Sequence, residues 1–289
     1  RCAIVTGVQT CALPILLLGT VGVGALLFWL LRSLTGSKKP FTNTLIATLI
    51  LFLLLAPPVN LQEAGLVLLA TVTTLVIKFF GTIHGKPLVN PAAGGIFVAL
   101  VVAALALPES DFAADWWGAR FWELYEFNSI ILTVSMLLVL GWIIFGLPRW
   151  RRMRAFLAFL ATAIACQIFL AFLSEDPELR LDFLLYYFFD STIYFFAAIM
   201  LVEPKTSPAK PDQQLAYGAL VAIIFALLHS HYIVGLPESL SFFYFLPILT
   251  ALIIGNLVFA GWEQWTRLQK AQEKAAAAQG QPQPPTLSE

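Results

Sequence analysis

The sequence predicts an all-α fold: a polytopic membrane bundle of about nine transmembrane helices built as an inverted repeat. Three observations carry this. Only 12% of the 289 residues are charged while 59% are hydrophobic, against roughly 25% charged in soluble domains. Nearly charge-free runs long enough to cross about 30 Å of hydrocarbon at about 1.5 Å per residue recur along the chain. The loops between them alternate in charge.

The runs fall at 13–31, 41–62, 64–80, 87–108, 127–148, 155–174, 183–202, 213–237 and 239–262. Residues 13–262 read as one transmembrane domain, with repeat one at about 13–126 and repeat two at about 127–262. Lys78, near the end of the third run, can snorkel to the interface. The chain opens on Arg1, and RCAIVTGVQTCALPI resembles translated sequencing-adapter sequence. Residues 1–12 are therefore read as non-native and set aside, a natural tail being the alternative. A lost native span would make ten.

Arg32, Lys38 and Lys39 follow the first span, Lys78 and Lys86 the third, Arg149, Arg151, Arg152 and Arg154 the fifth, and Lys205 and Lys210 the seventh. The intervening loops are acidic: Glu63; then Glu109, Asp111, Asp115, Glu123 and Glu126; then Glu175, Asp176, Glu178 and Asp182; then Glu238. Every basic loop falls on one side, which the positive-inside rule makes cytoplasmic, together with the C-terminus. Residues 263–289 read as a cytoplasmic polar helix ending in a disordered, proline-bearing tail.

Residues 41–57, FTNTLIATLILFLLLAP, and 189–204, FDSTIYFFAAIMLVEP, share an opening Phe, a nearby Thr and a closing Pro. They lie five spans apart and so run in opposite directions, as an inverted repeat requires. NPAAGGIFVAL (90–100) and LPILTALIIGN (246–256) form a second, weaker pair. This arrangement puts Asn43, Thr44, Asp190, Ser191 and Thr192 at a midplane polar site, where helix N-termini expose unpaired N–H groups. Asp190 within an apolar run is a functional-site candidate because an ionisable group there needs a partner or a polar cavity. Plain helix capping is the alternative for all five.

Other chemistry is thin. Net charge is zero, so nothing points to nucleic acid. Cys2, Cys11 and Cys166 have no metal-like or disulfide spacing, and no catalytic or metal residues are assigned. His84 falls on the opposite side from His229 and His231, which excludes a bis-histidine haem within the chain. Trp116, Trp117, Phe121, Trp122 and Tyr125 read as an interfacial aromatic belt, with flavin stacking the alternative.

KFFGTIHGKPLVNPAA (78–93), the span from Thr44 to Pro57, AAIMLVEPKTSP (197–208) and LPESLSFFYFLPILTALIIGN (236–256) resemble, in order and spacing, the RnfD/NqrB family. Its members are membrane components of the Rnf electron-transport complexes and of the homologous sodium-translocating NADH:quinone reductase. The resemblance covers about residues 20–262. Its most specific parts are Asn90-Pro91-Ala92 and the Glu203-Pro204-Lys205-Thr206-Ser207-Pro208 turn, which looks like the family's Asp-Pro-x-Thr-Ser-Pro turn.

The resemblance implies a ten-helix inverted repeat in a bacterial inner membrane. It also implies a component that couples flavin redox chemistry to Na⁺ or H⁺ translocation, with further membrane and redox subunits as partners. Asn90, Pro91, Ala92, Glu203, Thr206 and Ser207 become the implied cofactor-binding turns. The sequence departs from the family in two places, the first being a thinned glycine-rich turn before Asn-Pro-Ala, which retains Gly81 and Gly85. The family attaches FMN to a threonine in a Ser-Gly-Ala-Thr-like motif after the Asn-Pro-Ala span, whereas residues 101–131 hold no threonine. Either the expected FMN or riboflavin is held non-covalently, or the chain is a divergent relative with a changed or lost redox role. A channel or secondary transporter for a small polar solute, without redox chemistry, is the rival reading; a membrane anchor for a partner oxidoreductase is a third.

Overall fold

The computed structural model describes residues 14–55, 60–83, 85–107, 140–173, 191–229 and 247–278, with isolated positions at 58, 112 and 137. Cys2, Cys11, His84, His231, Asp190 and the aromatic loop 116–125 lie outside the described residues. Within them the fold is helical, apart from one two-stranded turn.

Helix α1 spans Pro14–Thr35, with a π turn at Leu18–Gly22. It ends at Gly36, whose φ of 62° is the left-handed C-terminal geometry that glycine adopts without strain. Helix α2, Phe41–Leu54, starts after Pro40. Helix α3, Leu61–Phe80, is opened by a reciprocal cap. Asn60 Oδ1 accepts from the Glu63 amide at 2.8 Å, and Asn60 Nδ2 donates to Glu63 Oε1 at 3.0 Å.

Strands β1 (Thr82–Ile83) and β2 (Lys86–Pro87) form a tight antiparallel turn through Gly85 at φ 78°. Helix α4, Pro91–Ala106, follows, with proline at its first position, where no N–H is needed. A π turn at Trp142–Gly146 leads into α5 (Leu147–Trp150). Next come α6 (Met153–Leu173) and α7 (Ser191–Phe195), the latter running into a π turn at Phe196–Met200. Helices α8 (Pro211–His229) and α9 (Pro247–Ala278) complete the described chain.

Five of these helices (α1, α3, α6, α8 and α9) are long and apolar enough to cross a membrane. Helices α2 and α4, at 14 and 16 residues, are shorter than a perpendicular crossing needs. The multi-pass helical class predicted from composition is therefore present. The third and fourth runs are separated by the β1–β2 strand turn. The polar segment after 262 is helical to Ala278 as a continuation of α9, whose 32 residues reach about 48 Å.

Helices approach closely where glycine replaces a side chain, as membrane helix pairs require. A Cβ on Gly218 of α8 would strike the Ala155 carbonyl and lie 3.0 Å from the Phe159 nitrogen of α6. One on Gly95 of α4 would strike Thr74 and the Ala70 carbonyl of α3. Phe159, Phe196, Phe225 and Tyr217, all fully buried, fill the centre of the second half. Each half has one helix as its hub: α3 packs on α1 and α4, and α8 packs on α6 and α9.

Candidate functional site at the basic end of the bundle

The loops predicted to be basic converge at one end. Lys39 Nζ donates to the carbonyls of Lys78 and Phe79 at 2.7 and 3.2 Å, capping the C-terminus of α3, and lies 5.2 Å from the Phe79 ring centre. A cation there complements the negative end of the helix dipole. Lys86 Nζ meets Glu263 of α9 at 3.0 Å. Arg152 reaches the 203–208 turn, and Lys205 stands near Lys39 and Lys78.

That turn is built by its prolines. Pro204 presets the second position, and the Thr206 amide donates to the Glu203 carbonyl at 3.2 Å, closing a β-turn. Ser207 adds its amide at 2.9 Å and its Oγ at 2.8 Å to the same carbonyl. Arg152 Nε donates to Ser207 Oγ at 2.9 Å, and its Nη2 to the Pro204 carbonyl at 3.4 Å. Arg152 is only 8% exposed, and burial lowers its pKa. It is brought there by Arg151, whose left-handed φ of 55° ends α5. The Gln214 amide holds that strained residue, donating to its carbonyl at 2.9 Å.

Burial holds the Glu203 carboxyl above the usual carboxylate range, opposed by the Thr206 hydroxyl at 3.2 Å and by the charges of Lys78 and Lys205. Burial, then Lys205, pushes the Lys39 ammonium down. Because the folded state raises the Glu203 pKa, it binds that proton more tightly than the unfolded chain does. The resulting stability is full below the ordinary carboxylate range and is lost as pH rises through the folded value. Glu203→Gln is expected to remove this slope and to leave the variant the more stable protein at neutral pH. Thermal melts across a pH series check it; parallel curves for the two proteins would show that Glu203 is not the group responsible.

The implied cofactor turns come together in space. Asn90 Nδ2 donates to the Met200 carbonyl at 3.3 Å, across 110 positions of sequence, while its Oδ1 accepts from the Ala92 and Ala93 amides at 3.0 and 3.2 Å. Both ends of that side-chain amide are engaged, and Asn90, Pro91 and Ala92 are buried. Asn90→Ala should cost about 2 kcal/mol, combining a lost cap with a lost buried hydrogen bond. Asn90→Asp, which keeps the cap but not the donor, should cost less. Detergent-solubilised melting temperatures give the order, and an Asp variant as weak as the Ala variant would refute the cap.

Of the residues assigned to a midplane site, Asn43 offers its carbonyl to Lys78 Nζ in the last turn of α3. Thr44, 1% exposed, follows it, and its hydroxyl has no partner among the described residues. Ser191 and Thr192 open α7; Asp190 lies outside the described residues.

Beside the turn lies a cleft that is open to solvent. It lies between the β1–β2 turn, residues Lys205–Pro208 and α9, and includes Thr206 and Ser207 in its wall. Three residues that sequence reasoning did not single out shape this end: Gln214, Tyr217 and Asn256. Tyr217 donates to Asn256 Oδ1 at 2.6 Å, joining α8 to α9. Their only advance signal is polarity within apolar runs. No family model matches the chain, and no curated protein matches it.

Proposed function

We propose that the chain is a membrane component of an Rnf/Nqr-type electron-transport complex that couples flavin redox chemistry to Na⁺ or H⁺ translocation. In this reading it lies in a bacterial inner membrane, with its C-terminus in the cytoplasm. The observation that carries the proposal is the hydrogen bond from Asn90 to the Met200 carbonyl. It joins the Asn-Pro-Ala turn to the segment leading into the Glu-Pro-Lys-Thr-Ser-Pro turn, the two motifs most specific to the resemblance. The two short helices support it further. Helix α2 and the described 191–200 segment occupy matching places in the two halves of the proposed inverted repeat, as in transporters built that way.

Four of the six turn residues fit a flavin poorly. The Asn90 side chain is satisfied within the protein, Pro91 and Ala92 are buried, and Ser207 Oγ already serves Arg152 and the Glu203 carbonyl. These residues hold two loops together, so electron carriage belongs to another surface or to a partner protein. A flavin supplies one- or two-electron transfer. This chain supplies Glu203, a carboxyl at the basic end beside Lys78 and Lys205 that takes up and releases a proton as the redox state of the complex favours one arrangement or another.

Gentle purification of the tagged chain from its native membrane tests the reading. Flavin absorbance at roughly 450 nm together with co-purifying redox proteins is expected. A colourless, partner-free protein whose liposomes take up a small polar solute would replace it with the transporter reading.

A further inference from the structure

We infer that the cleft between the β1–β2 turn, the 205–208 turn and α9 binds a phosphate group, and that its source is an anionic phospholipid headgroup. Lys86, Lys205 and Arg267 face it with a single carboxylate, Glu263. Glu263 is shared by Lys86 at 3.0 Å and Arg267 at 3.4 Å. Lys205 forms no ion pair among the described residues, and the wall carries net positive charge. One side chain there has an unmet need. Asn256, 1% exposed, receives the Tyr217 hydroxyl on Oδ1, while its Nδ2 has no acceptor among the described residues. A buried donor left unpaired is costly, and this residue forms part of the cleft wall.

The depth of the cleft selects the source. Helix α9 is longer than about 30 Å of hydrocarbon. Its exposed Trp262 and Trp265, flanking Glu263, mark the level where aromatic residues meet headgroups. The basic end is the side the positive-inside rule makes cytoplasmic, where anionic lipid attracts lysine and arginine. The apolar part of the wall, Ile83, Leu88 and Phe259, suits the glycerol and upper acyl chain. This inference needs only a membrane-embedded bundle and does not depend on the redox reading.

Native mass spectrometry of the full chain, titrated with phosphatidylglycerol, phosphatidylcholine or inorganic phosphate, decides it. Phosphatidylglycerol is expected to be retained and phosphatidylcholine not. Lys205→Gln combined with Arg267→Gln should weaken retention by about twenty-five-fold, roughly five-fold for each charge removed. Lys205→Arg should retain the lipid, and unchanged melting temperatures would show that the variants fold. Displacement of the lipid by millimolar inorganic phosphate would keep the phosphate site but overturn the lipid as its source. Equal retention of phosphatidylglycerol by wild type and double variant, or equal binding of phosphatidylcholine, would overturn the site itself.

Discussion

Gly218→Val is expected to destabilise the bundle by about 3 kcal/mol, the upper end of what overpacking costs. The Cβ alone would strike the Ala155 carbonyl, and the Phe159 nitrogen and Ala158 Cβ lie at 3.0 and 3.1 Å. Two of these three neighbours are backbone atoms, so no rotamer change can make room. Helices α6 and α8 must separate, and with them the buried Phe159 and Phe225 rings, now 6.3 Å apart and stacked. Gly95→Val should behave alike, because Ala70 and Thr74 occupy the corresponding space. Gly65→Ala is the control. Nothing lies within 4 Å of its Cβ position, and alanine is the better helix former by up to about 1 kcal/mol. Melting temperature and monodispersity in detergent report all three. A Gly218→Val protein that melts with the wild type would mean that α6 and α8 are not packed as described.

The second large effect is at Arg152. Arg152→Ala should cost about 2–3 kcal/mol, since hydrogen bonds to charged groups are worth roughly 1.5–3 kcal/mol and this guanidinium serves Ser207 Oγ and the Pro204 carbonyl. Arg152→Lys should rescue little, because a single ammonium cannot reach two acceptors held in a planar fork. Arg154→Ala should have no measurable effect. Its partner Asp212 is 3.8 Å away with a side chain 99% exposed, and surface pairs contribute little. Limited proteolysis of the 203–208 turn gives a second readout: faster cleavage in the Arg152 variant alone is expected. Equal loss at Arg152 and Arg154 would remove the distinction between them.

Much of this contrast was invisible in the linear text. Arg149, Arg151, Arg152 and Arg154 form one basic cluster in sequence, and all four satisfy the charge rule equally. Only Arg152 is buried, because the left-handed turn at Arg151 redirects the chain toward the Ser207 loop. Asn90, by contrast, was legible as a cap, since Asn followed by Pro at a helix start has a local mechanism. Its second role, donating to the Met200 carbonyl, has no local signal at all. Asn43 likewise has a partner without a local signal: the Lys78 side chain reaches its carbonyl from the last turn of α3.

By itself the sequence determined the helical class, the presence of several helices long and apolar enough to cross a membrane, and the gathering of basic loops at one end. Each is a sum over consecutive residues, because transfer from water to hydrocarbon depends on composition and length alone. The tertiary structure alone decided which polar groups meet: Arg152 with Ser207, Tyr217 with Asn256, and Lys86 and Arg267 with Glu263 around a cleft. Those pairings depend on angstrom-scale separations between helices distant in sequence, and glycines such as Gly218 and Gly95 set those separations by the side chain they lack.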